Sequence, residues 1–206
     1  MLKTEWLFFD IGSTLVDESE AYHHRIREMI EGSEITFEQF CEMRIRFAKK
    51  GLDGDAAAAA WFHLKKTPWH SEDEMPYRDT ESALSALKAR GYQMGVIANQ
   101  APGADSRLER WGLLKFFDVV ATSAEMGAAK PDREIFLRAL NRANCRPEHA
   151  YMIGDRLDND IAPAKALGMT TIWMMRGLAA YQSPKNEAET PDFSVGSLSD
   201  LLKLLP

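Results

Sequence analysis

Cysteine is scarce in this chain, and the two present, Cys41 and Cys145, stand far apart with no Cys-x-x-Cys or Cys/His ligand spacing around them. A disulfide framework and a zinc site therefore have no support, and reduced, buried thiols are expected. Positive charge is short as well: 25 Lys and Arg against 31 Asp and Glu leave a net charge of −6. That is the wrong sign for a face that neutralises a phosphate backbone, so a nucleic-acid partner is not expected. No apolar run approaches the roughly 18 residues a membrane span needs. The opening Met-Leu-Lys-Thr-Glu-Trp leads into an apolar run ending in Asp10, unlike a signal or transit peptide, and internal repeats are missing too. A soluble, cytoplasmic protein is the expectation.

What is present suits one packed domain with a modest insert. The 206 residues are 45% hydrophobic, and a chain of this length buries about 70% of its unfolded surface. Short apolar runs at residues 6–9, 94–98, 119–121 and 151–153, with a fifth at 170–174, have the length and the β-branched or aromatic content of buried parallel strands. Helical periodicity at 82–90, 106–113 and 134–143 alternates with them, and a short strand at 193–195 precedes a leucine-rich terminal helix. Strand alternating with helix predicts an α/β fold with a parallel sheet. Between the first two strands, however, lie roughly sixty residues where one crossover helix would suffice. Residues 17–76 contain no convincing strand and three helical segments, 20–30, 37–50 and 55–65, and read as a small helical cap. Thr36 and Gln39 form the pattern of a capping box, and Asp53 and Asp55 suit a helix start.

In an open parallel sheet, ligands bind beyond the carboxyl ends of the strands. The first run ends in Asp10, the second leads to Asn99-Gln100, the third to Thr122-Ser123, and the fourth through Gly154 to Asp155. Two carboxylates at one crevice repel each other, and a hard cation with oxygen ligands, such as Mg²⁺, removes that cost. Lys130-Pro131-Asp132 follows the third strand and brings an ammonium to the same edge. The run Gly154-Asp155-Arg156-Leu157-Asp158-Asn159-Asp160 offers a second acid behind the first.

These four segments in this order resemble the haloacid dehalogenase superfamily, in the branch with a helical cap inserted after the first strand. Asp10-Ile-Gly-Ser-Thr14-Leu15 resembles its first motif, Ile97-Ala98-Asn99 the second, Lys130-Pro131 the third, and Gly154-Asp155 with Asp160 the fourth. The resemblance implies a Rossmann-like core of residues 1–16 and 77–206 with a cap at 17–76. It implies a hydrolase of a small phosphorylated molecule in which Asp10 becomes an aspartyl-phosphate. Mg²⁺ would be held by Asp10, the Gly12 backbone carbonyl and Asp155, with Asp160 behind the metal. Lys130 would hold the nucleophile and the phosphoryl oxygens, and the Asn99 amide would bind phosphate.

Two positions depart from the family pattern. Its phosphatases usually carry a second aspartate two residues after the nucleophile, where this sequence has Gly12, and a Ser or Thr where it has Ala98. General acid–base catalysis is worth about 10²–10⁴-fold, so a slow enzyme is expected unless a replacement exists. One reading is a substrate with a good leaving group, such as an acyl or aryl phosphate. Another takes the acid from Asp17, Glu18, His23 or His24. A phosphonatase would need a Schiff-base lysine, for which Lys49, Lys50, Lys65 and Lys66 are candidates. A dehalogenase-like hydrolase is another alternative, but dehalogenases of this family do not use Mg²⁺, so the presence of Asp155 and Asp160 argues against that route. A catalytically weakened member that binds a phosphorylated ligand or a partner protein is a further alternative. The first motif also resembles the phosphate loop of actin-like kinases, but no second copy of that loop follows. Trp61, Phe62, Trp69 and Tyr77 line a pocket or fill the cap's own core.

Overall fold

The computed structural model describes residues 5–206. The first four residues, part of the expected core segment 1–16 and of the opening read for a targeting signal, lie outside the described residues. β1 (Trp6–Phe9) is buried at every position. Its side chains alternate between two cores: Leu7 and Phe9 join one hydrophobic cluster, Trp6 and Phe8 another. A strand covered on both faces has no polar side to show, which is why it reads as an unbroken apolar run.

The chain then makes β2 (Val16–Asp17), passes through α1 (Ser19–Ile30), α2 (Phe37–Ala48) and α3 (Gly54–Trp61), and returns at β3 (Met75–Pro76). β2 and β3 pair antiparallel, Val16 opposite Pro76 and Asp17 opposite Met75. This pairing closes the neck of the helical insert and was not expected; at two residues per strand it is too short to leave a periodic signal. The insert carries its own apolar cluster around Ile26, Met29, Phe40, Ala58 and Ala59. The capping box forms as expected: Gln39 N–H donates to Thr36 Oγ1 at 3.2 Å, and Thr36 N–H to Gln39 Oε1 at 2.9 Å. α3 stops at Trp61, short of the expected residue 65, because His63 turns left-handed at φ 54° and reverses the chain. α2 likewise ends at Ala48 rather than residue 50.

The remaining elements are α4 (Thr80–Ala89), β4 (Gln93–Ala98), α5 (Ala104–Arg110), β5 (Val119–Thr122), α6 (Ser123–Met126), α7 (Arg133–Arg142), β6 (Ala150–Gly154), α8 (Ala162–Ala166), β7 (Thr170–Met174), β8 (Phe193–Val195) and α9 (Leu198–Leu204). The six-stranded sheet runs β5-β4-β1-β6-β7-β8, all parallel. α4, α5 and α9 cover one face through Leu84, Leu108 and Leu201; α7 and α8 cover the other through Ile135, Phe136 and Ala164. Strand order turns back at β1, which leaves a crevice at its carboxyl end between β4 and β6. Among the described residues no helix is long and apolar enough to cross a membrane. Cys41 and Cys145 are free but half-buried rather than buried: one faces a cavity beside α2, the other lies in the turn leaving α7.

Asp55 does more than begin a helix. Its Oδ1 lies 2.8 Å from Arg44 Nε, and Arg44 Nη2 donates to Oδ2 at 3.2 Å, with both side chains nearly sealed from solvent. Burial pushes the Asp55 carboxyl up despite the guanidinium beside it. Removing one partner leaves the other charge buried alone, so Asp55→Ala is expected to lower unfolding free energy by about 3–5 kcal/mol in urea melts. A loss no larger than for an exposed acid would show that the pair does not tie α2 to α3.

Candidate active site

β1 delivers Asp10 to the crevice, its backbone N–H donating to Ile153 O at 2.9 Å and so continuing the sheet. Beyond it the chain folds back tightly. Leu15 and Val16 N–H both donate to Ile11 O, Ser13 is left-handed at φ 53°, and Gly12 bridges to Val16. On the opposite wall the π-helical turn Leu157–Ile161 carries Asp160 beneath the end of β6. A Cβ at Gly154 would overlap the Asp160 side chain, so only glycine lets the carboxylate approach this closely.

Lys130 joins the two walls. Its Nζ donates to Asp10 Oδ1 at 2.5 Å and to Asp160 Oδ1 at 2.6 Å, fully inside the protein. Its backbone is clasped by Asn99, whose Oδ1 accepts from Lys130 N–H at 2.7 Å while Nδ2 donates to Lys130 O at 2.8 Å. The side chain of Asn99 thus fixes the lysine loop. Arg156 N–H donates to Asp160 Oδ2 at 2.9 Å, so both Asp160 oxygens are occupied.

The charges do not balance. Oxygens of Asp10, Asp155 and Asp160 lie within 4.8 Å of one another. Lys130 is the ammonium among them, while Arg156 is turned to Asp158 at 2.8 and 2.9 Å. Burial, countered by Lys130 and assisted by Asp160, raises the Asp10 carboxyl to about 6. Asp155 is pushed well above its ordinary range by burial and then by Asp160 and Asp10. Burial opposes the charge on Lys130, yet Asp10 and Asp160 overcome it and hold the ammonium protonated. Glu18 is raised to about 8, first by burial and then by Asp10. A buried all-oxygen donor set with surplus negative charge fits a hard divalent cation such as Mg²⁺.

These residues surround a cavity of about 160 Å³, also lined by Gly12, Asn99 and Glu18. A larger one of about 300 Å³ adjoins it between the helical insert and the sheet, bordered by Tyr22, Arg44, Tyr77 and Leu178. All six site residues expected from the sequence, Asp10, Gly12, Asn99, Lys130, Asp155 and Asp160, therefore meet at one crevice. Of the four expected proton donors in the insert, only Glu18 lines the small cavity. Asp17 Oδ1 accepts from Ser19 N–H and Oγ–H, His23 packs on Phe37, and His24 Nδ1 lies 2.7 Å from Asp73 Oδ2. Lys49, Lys50, Lys65 and Lys66 are exposed, and none lines either cavity. Tyr77 borders the larger cavity and Trp69 a third beside Asn99; Phe62 packs into the insert's core and Trp61 is exposed. The Arg44–Asp55 pair left no sequence signal, since its members lie on different helices.

The protein-family model described as haloacid dehalogenase-like hydrolase matches residues 7–174. A glyceraldehyde 3-phosphate phosphatase of Methanopyrus kandleri is 34% identical over 151 residues, 73% of this chain. The match spans 63% of that protein, less than two thirds of its length. One of Pyrococcus furiosus is 30% identical over 100% of this chain and 94% of its own. The crystal structure of a HAD phosphatase from Thermococcus onnurineus superposes with a TM-score of 0.66 at 25% identity, covering 98% of this chain and 97% of that one. The family match runs from within β1 to the end of β7 and so takes in every strand that shapes the crevice; the chain belongs to the haloacid dehalogenase-like hydrolase family.

Proposed function

We propose that this protein is a Mg²⁺-dependent phosphatase of a small phosphorylated molecule, with Asp10 as nucleophile and residues 17–76 acting as a cap over the core of residues 1–16 and 77–206. The observation that carries this reading is the Lys130 ammonium bonded to one oxygen of Asp10 and to Asp160, which holds the nucleophile still inside a buried acidic crevice. With Oδ1 of Asp10 tied to the lysine, Oδ2 is the oxygen left to attack phosphorus. The P–O bond to the leaving group breaks as the aspartyl-phosphate forms, and water then releases phosphate and restores the carboxylate. Lys130 and the backbone amide of Asn99 draw the phosphoryl oxygens into place, since phosphoryl transfer depends mostly on positioning and charge neutralisation.

Asp10, the Gly12 carbonyl and Asp155 would hold Mg²⁺, with Asp160 orienting the set from behind. The ion supplies positive charge to the phosphoryl oxygens and relieves the repulsion among the carboxylates. The adjoining cavity of about 300 Å³, bordered by Tyr22, Arg44 and Arg156, suits a small polar substrate. Relatives named for glyceraldehyde 3-phosphate support the same size class. Gly12 brings no side chain, so as far as residue 12 sets the rate, leaving-group protonation and water activation are the slow steps.

With an acyl phosphate and Mg²⁺, intact-protein mass is expected to show one added phosphoryl group, and Asp10→Asn to lose both adduct and turnover; activity surviving in that variant would remove Asp10 as nucleophile. Metal binding is expected to compete with protons. Above about pH 6 Asp10 is ionised and binds; as pH falls through that value it takes up a proton and Mg²⁺ affinity weakens. Calorimetry in buffers of different ionisation enthalpy should therefore count protons released on binding, and Asp155→Ala should lower affinity about tenfold or more. Binding that is independent of pH and of Asp155 would place the ion elsewhere.

A further inference from the structure

We propose that Glu18 is the catalytic acid and base of this site, its carboxyl standing in the space that a side chain at position 12 would occupy. The inference goes beyond the reading of Asp10 as nucleophile and rests on it. A Cβ built on Gly12 would lie 2.5 Å from Glu18 Oε1, 2.8 Å from Oε2 and 2.8 Å from Cδ. An aspartate at position 12 would hold its own carboxylate oxygens at a similar remove, two bonds beyond that Cβ. The function that the first motif lacks in sequence is thus present in space, brought from six residues downstream.

Local structure explains how. The left-handed Ser13 and the Gly12–Val16 bridge double the chain back, so that residue 18, at the start of α1, returns beside residue 12. Glu18 sits at the N-cap of that helix, yet its side chain caps nothing. Asp17 satisfies the Ser19 N–H instead, which frees Glu18 to turn into the crevice, where Ser13 Oγ donates to its Oε2 at 3.0 Å. Gly12 itself is not left-handed, so backbone conformation does not demand a glycine there. What glycine does there is leave room: any larger residue would displace the Glu18 carboxyl from this position.

The position is also right for the chemistry. Glu18 lines both the small cavity around Asp10 and the larger one beside it. It therefore stands where a scissile bond would cross from the phosphoryl group to the rest of the substrate. As Asp10 attacks and the P–O bond breaks, the Glu18 carboxyl gives its proton to the departing alkoxide, which leaves as an alcohol. The resulting Glu18 carboxylate takes a proton from water as the water oxygen attacks phosphorus. The Asp10–phosphorus bond then breaks, phosphate departs, and both side chains return to their starting states.

The test compares native protein with Glu18→Gln and with the double variant Gly12→Asp/Glu18→Ala, using glycerol 3-phosphate, p-nitrophenyl phosphate and acetyl phosphate with Mg²⁺. Glu18→Gln is expected to lose about 10²–10⁴-fold in kcat on the alkyl ester. It should still form the Asp10 adduct from acetyl phosphate, whose leaving group needs no proton, and the adduct should accumulate because its hydrolysis is slowed. Moving the carboxyl back to position 12 in the double variant should restore turnover of the alkyl ester relative to Glu18→Ala alone. Native-rate turnover in Glu18→Gln overturns the proposal while leaving Asp10 in place. So does an equal loss in the rate of adduct formation on all three substrates, because only the alkyl leaving group needs the proton in that step; such a loss marks a merely structural role. If Glu18→Gln does not fold, failure of the double variant to exceed Glu18→Ala overturns it. Absence of adduct and turnover in the native protein overturns the Asp10 reading and this proposal with it.

Discussion

The ammonium of Lys130, held between Asp10 and Asp160 and nearly sealed from solvent, is the contact on which the site depends. A lysine buried alone would shed its proton; the two carboxylates beside it hold it as the ammonium. The arrangement also fixes three loops that leave three different strands. β1 supplies Asp10, the chain beyond β5 supplies Lys130, and β6 leads into the turn that carries Asp160. Removing the lysine would leave two buried carboxylates without a counter-charge, and losing one partner costs about 3–5 kcal/mol in comparable buried pairs. The neutral clasp of Asn99 on the Lys130 backbone adds rigidity without adding charge.

One cation does not neutralise this crevice. Asp155 and Glu18 add to the acids already paired, and the elevated carboxyls of Asp10, Asp155 and Glu18 share burial as their leading cause. Stability and the proposed function pull against each other here: packing more carboxylates into a low-dielectric space weakens the fold, while the proposed Mg²⁺ and phosphoryl chemistry draws on that same charge. Such tension is common at functional sites, where local rules are broken and the surrounding structure compensates. The compensation lies in the double-sided core, where Leu7, Phe8 and Phe9 are fully buried one after another and anchor the strand that ends in Asp10.

Two glycines matter through what they leave room for. Gly154 admits the Asp160 carboxylate beneath β6, and Gly12 leaves its side-chain space to Glu18. Neither is left-handed, so each is explained by close approach of another side chain and not by backbone conformation. At Gly12 the sequence shows a missing aspartate; the fold shows a carboxyl in the vacated space. That changes the expected consequence of the substitution from loss of proton transfer to its relocation.

The sheet was legible in the sequence because its inner strands are buried on both faces, so runs such as 6–9 and 170–174 stand out at their true bounds. Asp10, Lys130, Asp155 and Asp160 were legible too, since each follows a strand and strand ends in a parallel sheet converge on one edge. The helical insert was evident from its length and capping box, but its β2–β3 neck was too short to leave a pattern. Pairings across elements were out of reach: Asp55 reads as a helix start until α2 brings Arg44 against it. Among Asp17, Glu18, His23 and His24, linear order gives no preference, because all four lie within one turn or two of the same helix start. The sequence by itself determined which residues reach the carboxyl edge of the sheet, since hydrophobic period and strand length are local properties. Only the tertiary structure decided which side chain from the insert enters the space beside Asp10, since that depends on the reversal at Ser13 and the absence of a Cβ at Gly12.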